Sequence, residues 1–118
     1  MAAVLRNIML MQRDVPKAAK FYSEGLGLAV TVCTDRWAEL HSGGTTIALK
    51  AVDSEAHCTT GYSPFLSFDV PDMDSKITHL ISMGAVLDGP IKYPTHGKVA
   101  AMRAPDGHMF SLYEEARG

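Results

Sequence analysis

The chain is written twice, and this repetition limits its possible folds more than any other feature. Asp14-Val15-Pro16 opens a helical pattern that ends at Gly25-Leu26-Gly27-Leu28, and Asp69-Val70-Pro71-Asp72 opens a second one that ends at Met83-Gly84-Ala85. In the first copy Asp14 is placed to cap a helix, because its carboxylate can accept from the free N–H groups of the first turn. Pro16 follows where a missing donor costs nothing. Ala18, Ala19, Phe21, Tyr22 and Leu26 then recur at helical spacing, and Gly25 and Gly27 stop the run. The second copy starts on Pro71 and Asp72, carries Ile77, Leu80, Ile81 and Met83 as its stripe, and stops at Gly84.

A strand pattern precedes each helix and three short ones follow it. The first copy has Val4 to Met11, then Ala29 to Cys33, Trp37 to Ser42 and Thr45 to Lys50; the second has Val86 to Asp88, Lys98 to Ala104 and Met109 to Tyr113 after its helix. Ser42-Gly43-Gly44 and Pro105-Asp106-Gly107 are turn signals that make the last two strands of each copy a hairpin. The predicted class is α+β, with two βαβββ modules in tandem, about 1–50 and 64–114, inside one domain spanning 1–118. Residues 51–63 lack periodicity and read as the linker.

Alternation assigns the strand faces. Ile8, Leu10, Leu40, Ile47, Leu49, Leu66, Phe68, Phe110 and Leu112 should pack on the helices. The opposite face then carries Asn7, Met9, Met11, Trp37, Glu39, His41, Ala48, Lys50, Phe65, Ser67, Ala101, Arg103, Met109, Ser111 and Tyr113. Such a mixture of aromatic, methionine and charged side chains suits a concave small-molecule site, and equally suits methionine-rich packing with a wet rim.

Composition excludes several functions. Net charge is −2 with 47% apolar residues, so the chain has the composition of a folded domain and no basic patch for nucleic acid. No run reaches the length of a membrane span. Cys33 and Cys58 form no CxxC pair, so reduced thiols and a soluble cytoplasmic protein are expected.

Asp14-Val15, Phe21-Tyr22 and Leu26-Gly27-Leu28, with Pro105-Asp106-Gly107 leading into Met109-Phe110-Ser111-Leu112-Tyr113, resemble the vicinal-oxygen-chelate superfamily of glyoxalases, extradiol dioxygenases and bleomycin resistance proteins. The resemblance covers nearly the whole chain. It implies a curved mixed sheet around a concave cleft, helices on the outer face, and a homodimer. In its metal-dependent members His, Gln or Glu side chains on the first and last strands of each module hold a divalent ion. Here those positions fall on Asn7, Ala48, Phe65 and Ser111. Alanine and phenylalanine have no donor atom, and a one-residue slip substitutes Ile47 or Leu49, and Pro64 or Leu66, which have none either. No metal and no other cofactor are therefore expected.

The first functional reading is a metal-free small-molecule binding protein, its ligand held in the concave face by Trp37, Lys50, Phe65, Arg103, Met109 and Ser111. An enzyme with an unusual or absent metal site is the alternative, with His41 as a candidate base beside Glu39, since residues two apart on a strand share a face. An interaction domain without a small ligand is the third. His57, His79, His96 and His108 read as linker, surface or loop residues, with His108 exposed.

Overall fold

Asp14 and Asp72 start helices in the same way. In the computed structural model, which describes residues 2–58 and 63–116, both have extended backbone and both accept a first-turn N–H: Lys17 N lies 3.1 Å from Asp14 Oδ1, and Ser75 N lies 3.2 Å from Asp72 Oδ1. Each carboxylate satisfies a donor that the helix itself leaves open. The structural counterpart of Asp14 is therefore Asp72. Asp69, which the Asp-Val-Pro recurrence aligns with Asp14, ends a strand three residues earlier.

The helix α1 (Val15–Lys20) continues as one π turn, Phe21–Gly25, before the chain reverses at Gly27. The helix α2 (Met73–Ser82) has no such turn and reverses at Gly84. A π turn takes up one residue more than an α turn. This is why the stretch from cap to glycine is one residue longer in the first copy. Gly27 and Gly84 have φ of 77° and 101°, conformations that favour glycine at a helix end.

The chain forms two compact units, one ending at Thr59 and the other starting at Thr60. The first holds β1 (Ile8–Gln12), α1, β2 (Ala29–Cys33), β3 (Trp37–Ser42) and β4 (Thr45–Ala51); the second holds β5 (Leu66–Asp69), α2, β6 (Val86–Leu87), β7 (Gly97–Arg103) and β8 (Met109–Glu115). Each unit is thus βαβββ with a four-stranded mixed sheet. The orders are β1-β4-β3-β2 and β5-β8-β7-β6, and only the first-to-last strand pair of each sheet is parallel. Of the expected linker, Thr59–Tyr62 lie outside the described residues, and Glu55–His57 form a short 3-10 turn. Among the described residues no helix is long and apolar enough to cross a membrane.

Most of the residues expected to pack on the helices are buried, although β4 and β8 bury consecutive residues on both faces (Ile47 to Leu49 and Met109 to Leu112). In the first unit Leu10, Leu40, Ile47 and Leu49 are buried with Val15, Ala18, Ala19, Phe21 and Tyr22 of the helical segment. In the second, Met102, Phe110 and Leu112 are buried with Met73, Ile77 and Leu80 of α2. Two expectations fail here. Ile81 is 48% exposed, because α2 packs through Met73, Ile77 and Leu80, a stripe that leaves position 81 on the flank. His108 is buried, because the Pro105-Asp106-Gly107 turn folds back on it: Asp106 Oδ1 accepts its N–H at 2.9 Å, and its carbonyl accepts from Ala104 N at 2.9 Å.

The start of α2 is also tied to the far end of the sheet. Glu114 Oε1 accepts the Met73 N–H at 2.7 Å, while Lys98 Nζ lies 3.5 Å from Glu114 Oε2 and 4.0 Å from Asp74 Oδ2. The Met73 N–H, helped by the Lys98 ammonium, holds the Glu114 carboxyl below its ordinary value of 4.5. Asp74 first and Glu114 second hold Lys98 above its ordinary 10.5. A lowered acid adds stability above its unfolded pKa and loses it as pH falls through the folded value; a raised base adds stability below its unfolded pKa and loses it as pH rises through the folded one. The network therefore weakens at both extremes. Glu114→Gln should narrow the difference in melting temperature between neutral pH and about pH 3. An unchanged difference in circular-dichroism melts would rule out this contribution.

Candidate functional site

The register of the first sheet brings four of the sequence candidates onto one face. Trp37 is the cross-strand partner of Lys50, Glu39 of Ala48, and His41 of Thr46. Met9 and Met11 on β1 extend the rows, facing Ala48 and Lys50. Alternation sets this face opposite to Leu40, Ile47 and Leu49. Trp37, Glu39 and His41 are half-buried, Lys50 is exposed and Ala48 is fully buried.

Two side-chain pairs organise the face. Trp37 Nε1 donates to Glu39 Oε2 at 2.9 Å, so the indole edge and the carboxylate hold each other in place. His41 lies between two hydroxyls: Nε2 is 2.7 Å from Thr31 Oγ1 and Nδ1 is 3.1 Å from Thr46 Oγ1. The partner of Glu39 is thus Trp37 and the partners of His41 are threonines, so the two candidates share a face without forming an acid–base pair. Thr31 and Thr46 had no part in the sequence reading. Thr46 is visible in retrospect, since it lies opposite His41 in the hairpin. Thr31 is not, because a β-bulge between Val30 and Val32 breaks the simple alternation of β2.

The other four candidates lie in the second unit. Arg103 pairs with Met109 across β7 and β8, Ser111 pairs with Ala101, and Phe65 immediately precedes β5. Arg103 is half-buried and its Nη1 donates to the Gly107 carbonyl at 2.9 Å, so part of its guanidinium closes the β7–β8 turn. Met109 and Ser111 are buried, while Phe65 is 42% exposed. A separate open groove of about 520 Å³ lies at the carboxyl ends of β5 and β8, lined by Asp69, Val70, Pro71, Tyr113, Glu114, Glu115 and Ala116. Of these, Tyr113 belongs to the mixed face that alternation assigns, and none is among the expected ligand contacts.

The registers also relate to one another the four positions where the family resemblance would place a metal. Ile8 pairs with Ile47 and Leu66 with Phe110, which makes Ala48 and Ser111 equivalent positions on β4 and β8, and Asn7 and Phe65 equivalent positions before β1 and β5. The alignment is internally consistent, and the residues do not fit an ion. Two of the four lack any donor atom, and a divalent cation needs several oxygen, nitrogen or sulfur ligands. Among the described residues no three His, Cys, Asp or Glu side chains converge as a metal site.

Residues 5–112 match the family model described as the Glyoxalase/Bleomycin resistance protein/Dioxygenase superfamily. No curated protein matches the chain. Among solved structures, it is similar to a glyoxalase/bleomycin resistance protein/dioxygenase family enzyme from Burkholderia phytofirmans PsJN, with 21% identity, a TM-score of 0.82, and coverage of 97% of this chain and 100% of that one. The fosfomycin resistance protein FosX from Mesorhizobium loti is 18% identical with a TM-score of 0.76, covering 98% and 95%. TnmS3, an antibiotic binding protein from Streptomyces sp. CB03234, is 24% identical with a TM-score of 0.67, covering 98% and 100%. At these identities the likeness is one of fold.

Proposed function

This chain belongs to the glyoxalase/bleomycin resistance protein/dioxygenase superfamily, and from that premise we propose that it binds a small molecule without the metal its catalytic relatives use. One observation carries the reading: Ala48 and Phe65 stand at two of the four positions where ligands would be needed, and neither has an atom to give. A site without the ion loses the Lewis acid on which chelating substrates depend. What remains on the mixed faces suits binding. On the face of the first sheet Trp37 offers a flat apolar surface held by Glu39, and Lys50 an exposed ammonium without an anionic partner among the described residues; the second unit has a partly exposed ring of its own in Phe65. Aromatic walls with a few placed polar groups are the usual make-up of such sites. That proteins of this fold include one named for antibiotic binding and one for fosfomycin resistance is consistent with a small-molecule partner.

Two measurements on the purified chain test the reading together. Elemental analysis after dialysis should find no stoichiometric nickel, zinc, iron or manganese. A melting-temperature screen over small molecules should then find a stabilising compound, and Trp37→Phe should weaken its binding about tenfold. Close to one metal per chain would overturn the metal-free reading. A ligand whose affinity is the same in Trp37→Phe and Lys50→Ala would remove the face assigned to it.

A further inference from the structure

The strand β2 lies at the edge of the first sheet, paired only with β3. Its register runs Val30 opposite Leu40 and then Val32 opposite Glu39, so Thr31 is the extra residue of a bulge. A bulge re-aims the side chain it carries. Here the exposed Thr31 hydroxyl is brought to 2.7 Å from Nε2 of the half-buried His41, while Thr46 Oγ1 lies 3.1 Å from the other ring nitrogen. A threonine hydroxyl can donate or accept. With Nδ1–H donating to Thr46, Nε2 is left bare and receives the Thr31 proton. This is the order of nucleophile, base and orienting group that activates a hydroxyl elsewhere.

We propose that Thr31 is an acyl acceptor, with His41 as its general base and Thr46 as the positioning residue that sets the imidazole tautomer. The chemical class of donor is an activated carboxylic ester. Thr31 Oγ attacks the carbonyl carbon and its proton passes to His41 Nε2. The ester C–O bond then breaks, the departing oxygen takes the proton back from Nε2, and the products are an acyl-threonine and a free alcohol or phenol. The orienting group is a neutral hydroxyl, because the neighbouring carboxylate, Glu39, is bonded to Trp37. Among the described residues the imidazolium formed in the first step therefore has no paired carboxylate to stabilise it. This favours one slow acylation per chain over rapid turnover. The proposal concerns the edge of the first sheet and holds whether or not the face beside it binds a ligand.

The probe is 4-nitrophenyl acetate added to the intact chain, followed by nitrophenolate release and by peptide mass mapping. The expected result is one acetyl group on the peptide containing Thr31, removed by hydroxylamine as an ester is and as a lysine amide is not. His41→Gln keeps hydrogen-bonding capacity but cannot act as the base, and should slow the labelling on the order of a hundredfold. Thr31→Ser should still be labelled at that position, and Thr31→Val should not. Thr46→Val should slow labelling by less than His41→Gln does. Acetyl groups found only on lysines or the N-terminus of the unaltered chain would overturn the proposal, and so would equal labelling of Thr31 in His41→Gln. Because the deciding map is made on the unaltered protein, a variant that fails to fold does not rescue the idea.

Discussion

Gly97→Ala is expected to destabilise the chain by about 3 kcal/mol or more, at the upper end of what overpacking costs. Gly97 opens β7 and pairs with Glu115. A Cβ built there would run into the backbone carbonyl oxygen of Glu114 and would lie 2.9 Å from both Cζ and Oη of Tyr113. Neither neighbour gives way cheaply. The tyrosine ring is anchored, since its hydroxyl donates to the His96 carbonyl at 3.0 Å. The carbonyl belongs to the paired strand, and moving it also moves the Glu114 side chain that caps α2 through Met73. The clash would thus spread from the end of a hairpin to the start of the helix. Gly44 is the control: a Cβ there meets nothing within 4 Å and its backbone is not in the left-handed region. Gly44→Ala should change stability by no more than about 0.5 kcal/mol. Urea denaturation of both variants measures the contrast, and a Gly97→Ala midpoint close to that of the unaltered chain would refute the close approach.

How far such a structure can be read beforehand depends on which signals are local. Strand spans, the two hairpins and the helix starts come from short-range chemistry: alternation, glycine at turns, and a carboxylate before a helix. Most of those elements lie within a residue or so of where the residues predict them; the exception is the opening strand, expected from Val4 to Met11 but formed only over Ile8–Gln12, with Val4 and Leu5 ahead of it 91% and 71% exposed. The Asp-Val-Pro recurrence misleads because it matches identity instead of role. Asp14 caps a helix, whereas Asp69 ends a strand and Asp72 does the capping. The π turn at Phe21–Gly25 has no local marker and appears in the sequence only as a one-residue drift between copies. The bulge at Thr31 is equally silent, and it is what brings Thr31 to His41. Burial shows the same limit. Alternation assigns Met109, Ser111 and Phe65 to one face, yet it cannot say that Met109 and Ser111 are buried while Phe65 stays partly exposed. Its position after a turn predicts an exposed His108, but a turn that hydrogen-bonds back to the residue following it can bury that residue.

Phe110→Ala should cost about 3–5 kcal/mol, the range for emptying an aromatic site in a packed core. Phe110 is 2% exposed and lies in the middle of its sheet, paired with Leu66 on β5 and Met102 on β7. Its ring meets Phe68 edge to face, with centroids 6.3 Å apart and planes at 75°, an arrangement that adds to the burial itself. β8 is also a strand on which α2 packs, so a void here loosens the helix together with the ladder. A protein of this size has a total stability of only about 5–15 kcal/mol, so the loss is a large share of it. Phe65→Ala supplies the comparison. Phe65 is the same residue type one position ahead of β5, but it is 42% exposed, so truncation should cost less than about 1 kcal/mol. The difference between the two alanine variants tests the face assignment behind the proposed site, in which Phe110 lies on the helix side and Phe65 on the side proposed for a ligand. Equal losses in urea denaturation would mean that Phe65 is a core residue, and the second unit would then present no aromatic residue from this set to a small molecule.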